Sequence, residues 1–193
     1  PRPTPFVRAV LIPTPASPPA TDAGLKAPLM IAAKAPGSPA IFAKMLIYPK
    51  LTDYSDALVW HVNTAQYQDT IVGRGNDGGD FVMLQLIMAY KELYGEINAT
   101  DEAWDFVKEY LTSVNYAEEG DRHTENHMLV HYATALLTAE SYPDSEVSGN
   151  RASETHKKYK EYLINWYNKR LKRGFGEYNS AHYYFIDTYA LEI

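Results

Sequence analysis

A chain of 193 residues is long enough for one domain with a sizeable core and marginal for two. Its composition, 46% apolar and 22% charged, excludes wholesale disorder, and a net charge of −6 gives a nucleic-acid partner no electrostatic support. No apolar run approaches the ~18 residues needed to span a membrane, and the absence of cysteine excludes disulfides, thiolate catalysis and cysteine zinc sites. The first residue is Pro1, so a processed chain or a piece of a longer one is expected.

In chain order, residues 1–40 come first as a proline-rich arm. They hold ten of the twelve prolines, which block regular helix and central strand alike. Two apolar pieces interrupt the arm, Phe6–Ile12 and Leu29–Ala33, and the first has the character of an edge strand that docks on its own body or on a neighbour. From residue 41 to 193 the periodicity is helical. Ser55–Gln66 reads as a helix with Leu58, Val59 and Val62 on one face, followed by the loop Gly73-Arg-Gly-Asn-Asp-Gly-Gly79. Asp80–Tyr94 is apolar almost all round and is expected to be deeply buried. Thr100 with Asp101 and Glu102 marks the start of a helix to about Val114. Thr124 opens another through Ala139, stopped by Pro143. Ser153–Leu171 is a long amphipathic helix with Gly174 just beyond, and Ala181–Leu191 a last short one. Nothing alternates with period two for long enough to make a sheet, so the expectation is an all-α fold of three consecutive antiparallel αα-hairpins.

The densest polar segment is Asp121-Arg-His-Thr-Glu-Asn-His-Met-Leu-Val-His131. His127 and His131, four apart, project from one helical face, and Glu125 or His123 could complete a divalent-metal set. The zincin pattern is absent, so no metal is expected and hydrogen-bonded histidines near a cleft are the preferred reading. The glycine loop formally matches a dinucleotide fingerprint but lacks a preceding strand, and Asn76, Asp77 and Asp80 lack calcium-loop spacing. It is expected to be a tight turn capping the buried helix. A second polar cluster, Gly174-Phe-Gly-Glu-Tyr-Asn-Ser180 with His182, Tyr183 and Tyr184, presents side chains from a loop. Asn98-Ala-Thr100 is a glycosylation sequon. Sixteen tyrosines suit either a sugar-stacking surface or helix packing.

The motifs GRGNDGGDF, TENHMLVHYATALLTAESYP and GFGEYNSAHYY, in that order, resemble the α/α-toroid (six-hairpin) carbohydrate-active superfamily over residues 70–193. The resemblance implies a partial α/α toroid, since about three hairpins are present where a full ring has about six. It implies a polysaccharide partner, a secreted or extracellular location, and β-elimination on a uronate-containing polymer. Under that reading Asn126 neutralises the uronate carboxylate, His127 takes the α-proton, Tyr183 protonates the leaving oxygen, and Arg122, His131, Asn179, His182 and Tyr184 bind substrate. A glycoside hydrolase would use Glu125 and Glu177 instead, their separation deciding between retention and inversion. A third reading is a non-catalytic subunit of a homo-oligomer or filament, joined through the arm.

Overall fold

Two helices carry apolar residues around nearly their whole circumference, and they form the centre of the molecule. The computed structural model describes residues 38–71, 79–119 and 124–174. Among these residues it contains six helices: α1 (Ser38–Ile47), α2 (Ser55–Ile71), α3 (Gly79–Leu93), α4 (Asp101–Ser113), α5 (Glu125–Ser141) and α6 (Ala152–Arg173). The fold is therefore mostly helical, as the periodicity implies.

Helix α3 buries Val82, Met83, Leu84, Leu86, Ile87, Ala89 and Leu93. Helix α5 buries its length from Asn126 to Ala139 save His131 and Leu136. They run parallel: Asp80 meets His127 at their starts, and at their ends Lys91 Nζ lies 3.4 Å from a Glu140 carboxylate oxygen. The other helices are more one-sided and cover this pair. α2 turns Leu58, Val62 and Ala65 inward, and begins beside the segment after α3, where the Tyr54 N–H donates to the Asn98 carbonyl at 2.8 Å. α2 and α3 are thus an antiparallel hairpin. α6 presents Ala152, Thr155, Tyr159 and Trp166 to α5 and runs antiparallel to it, with His156 beside Glu140 at one end and Trp166 on the Glu125 carbonyl at the other.

Helix α4 departs from the expected plan, in which 101–114 would pair with 124–139. It packs chiefly against α2 and reaches the far ends of α3 and α5, with Trp104 against Tyr90 and Tyr94, Lys108 over the Tyr142 ring, and the Thr112 carbonyl accepting from the Ser148 N–H. The chain then returns along α5 without helix, so that the Ala117 N–H reaches His131 Nδ1 at 3.3 Å. The hairpin partner of α5 is α6 instead. The reason is the shape of α4, whose buried side chains Ala103, Trp104, Val107, Tyr110 and Leu111 form a single face to set against an aromatic end layer. Thr100 caps it, its hydroxyl accepting from the Ala103 N–H at 3.3 Å, an interaction worth about 1 kcal/mol.

Two elements were not legible. α1 begins at Ser38, inside the span expected to be extended, because Pro39 falls in the first turn, where no backbone N–H is needed. A small antiparallel hairpin, β1 (Glu146–Val147) with β2 (Asn150–Arg151), sits between α5 and α6. Ser148 (φ 54°) and Gly149 (φ 73°) take the left-handed pair of conformations that a tight two-residue hairpin turn requires. The rest of the arm, including Phe6–Ile12 and Leu29–Ala33, and the helix expected over Ala181–Leu191 lie outside the described residues.

Most described tyrosines are packing residues. Tyr54, Tyr110, Tyr116, Tyr132, Tyr142 and Tyr159 are buried. Backbone carbonyls satisfy several of their tips: Tyr116 donates to Leu111 at 2.7 Å, Tyr159 to Tyr116 at 3.1 Å and Tyr54 to Tyr48 at 2.8 Å. Burial pushes the Tyr116 and Tyr142 phenols up, out of the physiological range.

His61 supplies a pH test of the core. The ring is 2% exposed, lies 4.9 Å from Phe42 and 4.8 Å from Trp60, and its Nδ1–H donates to the Ala57 carbonyl at 2.7 Å. Its Nε2 is buried without a hydrogen-bond partner among the described residues. Burial pulls its pKa below the ordinary 6.5, and the Ala57 carbonyl only partly opposes this. Below that value the unfolded chain binds a proton that the folded chain refuses. His61 therefore costs nothing above pH 6.5 and destabilises progressively as pH falls toward its folded pKa. Urea midpoints at neutral and mildly acidic pH should show a smaller acid loss in His61→Phe than in the wild type; equal slopes would mean that His61 is protonated in the fold.

Candidate functional site

The starts of α3 and α5 lie side by side, and the polar residues buried there are anomalous in two otherwise apolar helices. Asp80, 6% exposed, uses one carboxylate oxygen to accept from the Phe81 N–H at 2.9 Å and the other to meet His127 Nδ1. His127 is also 6% exposed, and the Phe81 ring lies 5.0 Å from its imidazole. The aspartate sets the imidazole's orientation and tautomer, with the proton on Nδ1, and stabilises the imidazolium formed when the other nitrogen accepts a proton.

Asn126 is wholly buried. Its Oδ1 accepts from the Thr124 hydroxyl at 2.6 Å, and its Nδ2 has no acceptor among the described residues. A buried amide donor left over in this way is rare and asks for a ligand, a water or a functional cause. The hydroxyl that binds it belongs to the residue preceding α5, which makes no side-chain bond to the helix's own N–H groups.

Helix α6 holds this end in place. The Trp166 indole donates to the Glu125 carbonyl at 3.3 Å, Arg170 pairs with the Glu125 carboxylate, and the Arg170 guanidinium lies 5.3 Å from the Trp166 ring centre. Glu125 is thus engaged by a cation from the neighbouring helix, and its side chain is only 7% exposed.

Of the expected site residues, Glu125, Asn126 and His127 follow one another in the first turn of α5, Glu125 turned to Arg170, Asn126 to Thr124 and His127 to Asp80. His131 is turned to the returning segment, on the Ala117 N–H and edge-on to Tyr116. Arg122, Glu177, Asn179, His182, Tyr183 and Tyr184, with His123 and the loop residues Asn76 and Asp77, lie outside the described residues. The divalent-metal set of His127, His131 and Glu125 is not assembled: no three metal-ligating side chains converge among the described residues. Asn98 is exposed, with its backbone pinned between Tyr54 and Pro49, so the sequon sits on a fixed surface loop.

The sequence reading missed Asp80 as the partner of His127, and Trp166 and Arg170 as the clamp. Asp80 carried a signal: an acid beginning a helix apolar all round has no solvated face to occupy and must find a buried partner. Arg170 carried none, since a basic residue in the last turn of a helix is ordinary.

No family model matches the chain, and searches of the curated proteins and of the solved structures return no match either.

Proposed function

We propose that this chain is a carbohydrate-active domain built on the lines of an α/α toroid, and that the paired starts of α3 and α5 act on a uronate-containing polysaccharide by β-elimination. One observation carries the reading: a buried Asp80–His127 pair lies beside Asn126 in the chain, and the Asn126 amide donor has no acceptor among the described residues. The elimination needs these functions. A donor on the uronate carboxylate stabilises the charge that develops as the α-proton leaves, and an oriented imidazole takes that proton. The electron pair forms the C4=C5 double bond as the C4–O bond breaks, and the departing oxygen takes a proton, a role the resemblance gives to Tyr183. Asp80 stabilises the imidazolium in between. Hydrolysis is the weaker alternative, because Glu125 is engaged with Arg170. Such a polymer places the protein outside the cell; among the described residues no helix is long and apolar enough to cross a membrane.

A second reading has its own observation. Leu51, Trp60, Tyr67, Ile164 and Leu171 are each more than half exposed, apolar surface that a second copy of the chain would cover. That favours a building block whose Asp80–His127 pair only ties α3 to α5, with the chain assembling on itself. The test is to incubate the protein with alginate, polygalacturonate and hyaluronan while following the ultraviolet absorbance of the unsaturated product, and to weigh it by light scattering. New absorbance supports the lyase. Its absence together with a concentration-dependent oligomer supports the building block.

A further inference from the structure

We propose that Thr124 is a positioning residue that fixes the Asn126 carboxamide with its N–H2 group presented as a donor; this rests on the reading of Asn126 as the carboxylate-binding group. Thr124 occupies the N-cap position of α5, where a threonine hydroxyl ordinarily accepts a hydrogen bond from the second or third N–H of the helix. Here that bond is not made. The hydroxyl instead donates to Asn126 Oδ1 at 2.6 Å. With the hydroxyl donating to Oδ1, the nitrogen end of the carboxamide is turned away from Thr124. Nδ2 is then the end left without an acceptor among the described residues, in a side chain that is wholly buried.

The helix thereby forgoes a cap and carries an unsatisfied donor, two costs on the same pair of residues. Neither serves the stability of α5. Both are explained if a negatively charged group visits Nδ2, since a fixed, water-excluded donor binds an anion more strongly than one free to rotate. The first turn of α5 is also where the helix dipole favours negative charge.

Thr124→Val keeps the shape and removes the hydroxyl; Thr124→Ser restores it. The probe is alginate and its carboxyl-reduced form, with affinity and turnover measured for each. We expect Thr124→Val to lower kcat/KM on alginate about tenfold, mainly through KM, to leave the melting temperature near the wild-type value, and to be rescued by Thr124→Ser. The side-chain N–H2 resonances of Asn126 should shift and broaden in Thr124→Val and recover in Thr124→Ser. Wild-type discrimination against the reduced polymer, left intact in Thr124→Val, would overturn the role of Thr124 alone. A melting temperature that falls in step with function would mark Thr124 as an ordinary cap and also overturn it. Failure of the wild type to distinguish the two polymers would overturn the reading of Asn126 itself, and the positioning role with it.

Discussion

Replacing Asp80 with alanine should destabilise the fold by about 1–3 kcal/mol, the usual cost of leaving a buried hydrogen-bonding group without its partner. The change does three things at once. It leaves the His127 imidazole facing a void, with Nδ1 deprived of its acceptor. It takes the acceptor from the Phe81 N–H in the first turn of α3, and it removes an acid from a helix start that favours one. Asp80→Asn keeps the volume and can still accept from Phe81, but it offers N–H2 to His127 and favours the wrong tautomer, so its cost should be smaller. A double-mutant cycle with His127→Ala separates the pair from its surroundings. If the two are coupled, the double variant should cost clearly less than the sum of the singles, by at least about 1 kcal/mol. Urea denaturation reads all four corners. An Asp80→Ala variant within about 0.5 kcal/mol of the wild type, as for a surface change, would mean that the pair contributes nothing to holding α3 on α5.

His127→Ala carries the largest expected effect on activity. If the proposed β-elimination holds, with the imidazole as its general base, His127 should be worth roughly 10²–10⁴ in rate, while binding to the polymer persists through Asn126. Wild-type turnover should rise with pH, because only the neutral imidazole accepts a proton. Asp80→Asn should lower turnover with a smaller change in stability, since catalysis depends on the tautomer and folding mainly on the packing. Initial rates on the polymer that the wild type cleaves, taken over a pH series, provide the check. Turnover unchanged in His127→Ala would reject the imidazole as the base.

Much of this helical framework could be read in advance for a definite reason. Helical periodicity is written into consecutive side chains, and the punctuation at Thr100, Pro143 and Gly174 acts locally. The starts of α3, α4, α5 and α6 accordingly fall within one residue of their expected places. The same reading placed Asn126 and His127 together, since they are adjacent in the chain. It read α2 too short, ending it at Gln66 where the helix continues to Ile71, because polar residues there break the apolar face without breaking the backbone pattern.

By itself, then, the sequence determined five of the six described helices, α2 to α6, their order and the polar character of the start of α5. Only the tertiary structure decided which helices share a wall. The parallel pairing of α3 with α5, the path of α4 and the clamp from α6 bring together residues 47, 36 and 45 positions apart: Asp80 with His127, Thr112 with Ser148, and Glu125 with Arg170. Such contacts leave no mark in local periodicity, because they follow from the shapes of whole faces and from the burial of polar groups that must find partners at a distance. His127 is legible as a histidine on a helix; that it is an imidazole held by Asp80 is a property of the fold.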